Sequence, residues 1–348
     1  MRRRAGGDAP VRIGVVGLGY WGPNLVRVLH ELSEAEVVVV CDADASKLDV
    51  VVSRYSRVRA TVHYDDLLKS PDVEAIAIAT PISTHAPLAS AALRAGKHAF
   101  VEKPLAASVS EAEDLLSLAR RTGRLLMPGH TFLYSPAVNT VADLIRGGDL
   151  GEIYFVSTSR VNLGLHQSDV SVIWDLAPHD FSILLYWLGE LPEEISAAAR
   201  GCVLPSVPDV AFMSMRFPSG TLAHVELSWL APTKLRRTVV AGSKKMVVYE
   251  DTSPEPVRIF DSGVALPEPE TFGEYKLTYR TGDIIAPAIL PAEPLALELA
   301  DFCRAIRGGA EPRSSAAFGV DVVRMVQAAH DALVPIRAAP AAASMRAQ

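Results

Sequence analysis

The sequence holds little cysteine: three residues in 348, Cys41, Cys202 and Cys303. Their number is odd and they lie about a hundred residues or more apart, so neither a disulfide framework nor a zinc cluster follows. Long apolar runs are missing too. The longest, such as Val37 to Cys41 and Ala75 to Ala79, are strand-length and too short to span a bilayer. Basic excess is absent: 34 Lys and Arg against 40 Asp and Glu leave a net charge of −6, the reverse of a nucleic-acid binder's footprint. The one basic cluster, Arg2-Arg3-Arg4, has no apolar segment of signal-peptide length behind it, so it reads as neither a secretion signal nor an anchor. No H-x-x-x-H, H-E-x-x-H, G-x-S-x-G or Walker A pattern occurs, which speaks against metal-assisted, serine-hydrolase and kinase chemistry. The expectation is a cytoplasmic protein with no nucleic-acid or membrane partner and no metal.

What is present is ordinary for a globular chain: 49% hydrophobic residues, 21% charged, 23 Gly and 24 Pro. That composition excludes whole-chain disorder and collagen. At about 150 residues per domain the length suggests two domains.

Along the first 125 residues, short β-rich runs alternate with amphipathic stretches. Strands are predicted at Val11–Val16, Glu36–Cys41, Glu74–Ala79 and His98–Val101. Helices are predicted at Trp21–Leu32, Ala45–Tyr55, Pro87–Ala95 and Glu111–Arg121, the last capped by Ser110. Continuous apolar strands between helices imply a parallel sheet covered on both faces. A helix over Pro136–Ile145 follows, then runs of strand type at Ile153–Val161, Ile195–Ala199, Val210–Arg216, Leu222–Trp229, Arg237–Ala241 and Met246–Tyr249. One strong helix interrupts them, beginning at Pro178. Strands at this spacing suggest an antiparallel sheet. Two further helices, Pro294–Ile306 and Phe318–Val334, close the pattern. The domains expected are a flexible tail at 1–10, a dinucleotide-binding α/β domain at 11–128, a second α/β domain at 129–338 with a mainly antiparallel open sheet, and a disordered tail at 339–348.

Four motifs carry chemistry. Gly17-Leu18-Gly19-Tyr20-Trp21-Gly22 follows a strand and opens a helix, where glycines allow a tight turn and a pyrophosphate meets the free N–H groups of the helix start. Asp42 ends the next strand, where an acid bonds the adenosine ribose of NAD and repels the 2′-phosphate of NADP. Asp44 competes with it as the cap of the following helix. Glu102-Lys103-Pro104 leaves the carboxyl edge of a strand, where ligands bind in doubly wound sheets. Trp174-Asp175-Leu176-Ala177-Pro178-His179 pairs a carboxylate with an imidazole able to take a proton near neutral pH. By themselves Asp175 reads equally as a helix cap and His179 as a packed surface residue.

The stretch from Ala79-Thr80-Pro81 through His85 to Glu102-Lys103-Pro104 closely resembles the glucose–fructose oxidoreductase/inositol dehydrogenase/MocA family. The resemblance runs from Gly17 to the last helices and implies a Rossmann domain followed by an α/β domain. It makes Lys103, Asp175 and His179 catalytic: the lysine reaches the reacting hydroxyl, and the histidine, oriented by the aspartate, takes its proton. It assigns the cofactor, NAD, to Gly17, Gly19, Tyr20, Trp21, Gly22, Asp42, Thr80, Pro81, His85, Glu102 and Lys103. Val172-Ile173-Trp174 stand where the family often has glycines. Candidate substrate contacts are Lys103, Tyr134, Arg160, Asn162, His166, Gln167, Asp175 and His179, and His130 is a further candidate for lining the site. Arg236 and Arg237 read as a phosphate site or as solvated sheet residues. The run Gly19–Val26 and the segment from Asn162 to Asp175 are similar to members that modify nucleotide sugars. The expected reaction is oxidation or reduction at C3 of a nucleotide-linked hexose. The alternatives are a cyclitol or free-sugar dehydrogenase, or an NAD sensor without turnover. A homodimer or homotetramer joined through the second domain is expected.

Overall fold

In a computed structural model of the chain, the structure describes residues 9–164, 166, 170–265 and 277–333. The expected disordered tail at 339–348 and most of the tail at 1–10 lie outside them. The chain divides into two units. The first comprises Met1–Asp149, Pro178–Gly189 and Ala286–Gln327, and the second Leu150–Ala177, Glu190–Ile285 and Ala328–Gln348. The first therefore takes in more than the 11–128 span read from the sequence.

Apolar runs in the first unit pair as one parallel sheet. Its elements run β1 (Val11–Val16), α1 (Gly22–Glu31), β2 (Ala35–Cys41), α2 (Ala45–Arg54), β3 (Arg59–Thr61), α3 (Tyr64–Lys69), β4 (Ala75–Ile78), α4 (His85–Arg94), β5 (His98–Glu102), α5 (Val109–Thr122), β6 (Leu126–Gly129) and α6 (Pro136–Arg146). The strand order β3-β2-β1-β4-β5-β6 is that of a doubly wound dinucleotide-binding sheet, reversing direction between β1 and β4, where ligands bind. The strands are apolar on both faces because helices cover both: Val11, Ile13, Val15, Ile76, Ile78 and Phe100 have no exposed surface. The short β3 and α3 were not expected, since three and six residues are too few to show a period. Helix α5 is capped by Ser108, not Ser110; the Ser108 hydroxyl oxygen accepts the Glu111 N–H at 3.2 Å, and the helix starts at Val109.

In the second unit, β7 (Ile153–Leu163) opens an eight-stranded sheet. After it comes α7 (Val172–Leu188), along which the division between the units falls, after Ala177. This helix begins a turn and a half earlier than the expected start at Pro178. Its first N–H has a partner outside the helix: Val172 donates to the Pro208 carbonyl at 2.9 Å, while the Asp175 N–H closes the first turn on the Ser171 carbonyl at 3.0 Å. Pro178 therefore sits inside the helix, where it gives up the bond to the Trp174 carbonyl and crowds it.

The remaining strands are β8 (Glu194–Arg200), β9 (Val210–Arg216), β10 (Leu222–Ser228), β11 (Leu230–Gly242), β12 (Met246–Glu250), β13 (Val257–Ala265) and β14 (Thr278–Ile285), in the order β14-β13-β12-β11-β7-β10-β9-β8. All neighbours are antiparallel except β10 and β7. Leu222, Leu227 and Trp229 do not share one open face. Leu222 is exposed while Leu227 and Trp229 are buried, as the two-residue period demands of an even and two odd positions.

Two helices follow, α8 (Pro294–Ile306) and α9 (Ala316–Asp331). Helix α8 lays Leu295, Leu299, Phe302 and Cys303 into the core built on β1, β2 and α1. Arg307 at its end reaches the Ala9 and Pro10 carbonyls and the Glu74 carboxylate, so the last two residues of the expected tail are tied down.

Candidate active site

The turn after β1 requires two of its glycines. Gly17 has φ +88°, and a Cβ there would stand 2.5 Å from the Ala79 carbonyl, so only glycine adopts this conformation without strain. A Cβ on Gly22 would run into the Gly17 carbonyl, whereas nothing lies within 4 Å of one on Gly19. The turn is thus closed below and open above. Asp42, at the tip of β2, accepts the Leu18 N–H at 2.6 Å and the Asp44 N–H at 2.9 Å, with Lys47 at 3.7 Å. Asp44 takes the capping role, accepting the Ser46 N–H at 3.0 Å, so the two acids divide the tasks that competed for them. Tyr20 and Trp21 stand exposed on the turn, their rings 6.5 Å apart.

His85 braces the next two loops. It is buried, with Nδ1 at 2.8 Å from the Pro104 carbonyl and Nε2 at 2.8 Å from the Thr80 carbonyl. Burial holds its pKa below the usual range against those two contacts. The ring ties the loop of Thr80 and Pro81 to the residue after Lys103, whose peptide bond to Pro104 is cis. Glu102, just before, is buried; its Oε2 accepts the Lys103 N–H at 3.3 Å. Burial raises its carboxyl pKa, while the Lys103 charge and N–H pull it down.

Three consecutive residues after β6 draw these pieces together. His130 is buried; burial, with Lys103 adding to it, pushes its pKa down to about 3, which keeps it neutral. The Thr131 hydroxyl donates to Glu298 at 2.6 Å. The Phe132 ring meets the His179 ring edge-on at 5.1 Å. Within the first unit this short turn thus carries the ring that meets His179, and the Lys103 charge is felt at its first residue. Tyr134, in contrast, is buried; its hydroxyl donates to Asp301 at 2.8 Å and accepts the Ser314 N–H at 3.3 Å.

In the second unit, Asp175 accepts the Trp229 indole N–H at 3.2 Å. The Trp229 ring meets His166 at 5.5 Å, and His166 lies 3.6 Å from buried Asp209, so an indole links the two candidates Asp175 and His166. Arg160 is buried and Asn162 half-buried on β7, Gln167 lies outside the described residues, and Arg236 pairs with Asp251 at 3.0 Å. Sequence reasoning missed Glu298 and Trp229. The signal for Glu298 was legible: an acid on the apolar stripe of α8. Trp229 carried none, since an aromatic in a strand reads first as core.

Among the described residues no group of three or more His, Cys, Asp or Glu could hold a metal ion, and no helix is long and apolar enough to cross a membrane. The doubly wound sheet with its glycine turn and Asp42 marks a dinucleotide-binding protein. Comparison with known proteins specifies it. Residues 11–130 match the family model described as oxidoreductase family, NAD-binding Rossmann fold, and residues 138–248 match the GFO/IDH/MocA C-terminal domain. The chain belongs to the Gfo/Idh/MocA family of NAD-binding oxidoreductases. The uncharacterized oxidoreductase YrbE of Bacillus subtilis is 26% identical over 257 residues, 71% of this chain and 75% of that protein. The dTDP-3,4-didehydro-2,6-dideoxy-alpha-D-glucose 3-reductase of Saccharopolyspora spinosa is 34% identical over 145 residues, 41% of this chain and 43% of that one. The structure of UDP-N-acetylglucosamine 3-dehydrogenase GnnA from Acidithiobacillus ferrooxidans shares the fold, with TM-score 0.76, 24% identity and coverage of 92% of this chain and 97% of that one.

Proposed function

We propose that this oxidoreductase moves a hydride between NAD and a secondary alcohol of a sugar, at C3 of a nucleotide-linked hexose. The observation that supports the reaction type is the Phe132 ring against the His179 ring, one residue from Thr131 and two from His130, whose pKa burial and the Lys103 charge lower. The likeness to a dTDP-sugar 3-reductase supports the substrate class.

The turn fits NAD: Gly19 leaves the space above it open, and Asp42 stands at the end of β2 for the ribose hydroxyls. Gly17, Gly19 and Gly22 would let backbone approach the pyrophosphate, with Thr80, Pro81 and His85 shaping the adjoining loop. Bound NAD supplies the hydride acceptor. The protein's own residues do the rest. Lys103 donates a hydrogen bond to the substrate hydroxyl and offsets the negative charge growing on its oxygen. His179 takes the hydroxyl proton. Asp175, one turn earlier on α7, orients the imidazole, and Trp229 holds Asp175.

The test is a screen of UDP- and dTDP-hexoses, myo-inositol and free hexoses for NADH formation. Turnover of a nucleotide hexose above the others supports the reading. NAD binding with no turnover of any of them overturns it in favour of a sensor.

A further inference from the structure

Helix α8 carries an acid where its apolar stripe should continue. Leu295, Leu299 and Phe302 are buried on the face that enters the dinucleotide-binding core. Glu298 falls on the same stripe, three residues after Leu295 and four before Phe302, and has no exposed surface. Strand β5 brings a second acid to meet it. The rings of Phe100 and Phe302 pack edge to face at 5.7 Å. Glu102 is two residues on from Phe100, on the same side of the strand, and Glu298 is one turn back from Phe302. The ring contact brings the two stretches together, and burial, with the Glu102 charge adding to it, raises the Glu298 carboxyl well above the usual range. Gly129, paired in register with Glu102, makes the room: a Cβ there would stand 3.2 Å from Glu102 Oε2.

Each carboxyl uses one oxygen. Glu102 Oε2 accepts the Lys103 N–H and Glu298 Oε2 the Thr131 hydroxyl. Among the described residues, Glu102 Oε1 and Glu298 Oε1 have no hydrogen-bond partner. Two buried carboxyls whose charges act on one another do not both ionise, and an orphaned buried oxygen is costly. One proton between them satisfies both orphans and leaves a single negative charge beside Lys103.

The other charged and titratable groups around Glu298 leave that balance intact. His130 is buried and neutral. Asp301, on the same helix, is engaged by Tyr134, Arg304 and the Arg313 N–H. From α1, Arg27 pairs with Glu293 at the start of α8.

We propose that Glu102 and Glu298 share one proton, and that Glu298 is a positioning residue for Lys103, acting through Glu102. The second half rests on Lys103 being the residue that meets the reacting hydroxyl. With the pair singly protonated, Glu102 is held by a neighbour that neither repels it nor neutralises it fully. The loop carrying Lys103 thus keeps one fixed counter-charge behind it.

The test uses the full chain and E298Q. Infrared spectra at pH 7 should show the carbonyl stretch of a protonated carboxyl in the wild type, and E298Q should lose it, leaving Glu102 ionised. T131V, which removes only the hydrogen bond to Glu298, should keep the band and shift its frequency; it serves if E298Q fails to fold. A shared proton held above the range of an unfolded carboxyl stabilises at low pH, and that contribution is lost as pH rises through the pair's titration. Wild-type unfolding midpoints should therefore fall between about pH 5 and 9 by a slope approaching one proton, and E298Q should flatten it. In single-turnover NADH formation, E298Q should remove the pair's alkaline inflexion, whereas a merely structural role would scale the rate without moving the profile. Absence of the band in the wild type, or equal pH slopes in both proteins, overturns the proposal. If the band and slope behave as expected but no substrate turns over, proton sharing stands and the positioning role falls with the reading of Lys103.

Discussion

Removing the Lys103 ammonium or the His179 imidazole should cost hydride transfer and spare the glycine turn that holds the dinucleotide. General acid–base groups contribute about 10²–10⁴-fold. Lys103→Ala and His179→Ala should lose turnover on that scale, and His179→Ala should bind NAD with near wild-type affinity, read by fluorescence titration beside single-turnover NADH formation. Asp175→Asn should lose no more than His179→Ala, because it orients the base and carries no proton. A His179→Ala variant at wild-type rate would refute the assignment of the base. Asp42 makes a second prediction. Its carboxylate is pinned by the Leu18 and Asp44 N–H groups, so it cannot swing away from a 2′-phosphate, and like charges repel there. NADH should bind about tenfold or more tighter than NADPH, and Asp42→Ala should narrow the gap; equal affinities in the wild type would overturn it. These candidates stand out in the sequence because each sits in a local motif of fixed spacing. Glu298 shows in the sequence as an acid on the apolar stripe of α8, but its link to Glu102, nearly two hundred residues away, does not, because it depends on the packing of Phe302 against Phe100.

At the scale of elements, α8 is anchored at its far end by Arg307, which gathers Glu74 at the start of β4 and the backbone before β1. The Arg307 side chain, and with it Arg12, holds the Glu74 carboxyl down at about 2 against the effect of burial. A depressed carboxyl contributes stability that is present above its ordinary pKa of 4.5 and is lost as pH falls toward 2. Glu74→Gln should therefore destabilise by about 1 kcal/mol at pH 7, after allowance for solvent screening, and the difference from wild type should shrink below about pH 4. Denaturant unfolding at pH 7 and at pH 3 measures it, and a pH-independent difference would show that the ion pair is not the cause. The parallel sheet was legible element by element because buried strands read as continuous apolar runs. The start of α7 was not, because its first N–H is held by the Pro208 carbonyl, far along the chain, and that partner is not visible in the local pattern around Pro178.

For the whole molecule, the open face of the second sheet bears on self-association. Phe155, Phe212 and Leu222 are about half exposed and lie on β7, β9 and β10, with Leu222 opposite Phe155 in register. Apolar area gathered this way on a water-facing sheet is what protein interfaces cover. Light scattering at micromolar concentration should give at least twice the chain mass, and Leu222→Lys should lower it; a wild-type monomer would refute the expected dimer or tetramer. Of the residues expected to form such a face, Leu222 belongs to it, while Leu227 and Trp229 are buried on the other side.

Strand β14 has a consequence of a different kind. Every residue from Thr278 to Ile285 is exposed, so this edge strand is attached by its backbone ladder to β13 with no buried side chain to anchor it. Its register is interrupted between Phe260 and Ser262 on the partner strand. Cooperative unfolding protects amides in proportion to the apolar burial that must be undone to release them. The amides of β14 should therefore exchange with deuterium well before those of β7, β10 and β11, through local fraying of one edge and at a rate insensitive to mutations that lower global stability. If another chain covers that edge, its arrival should register first as a slowing of these few amides.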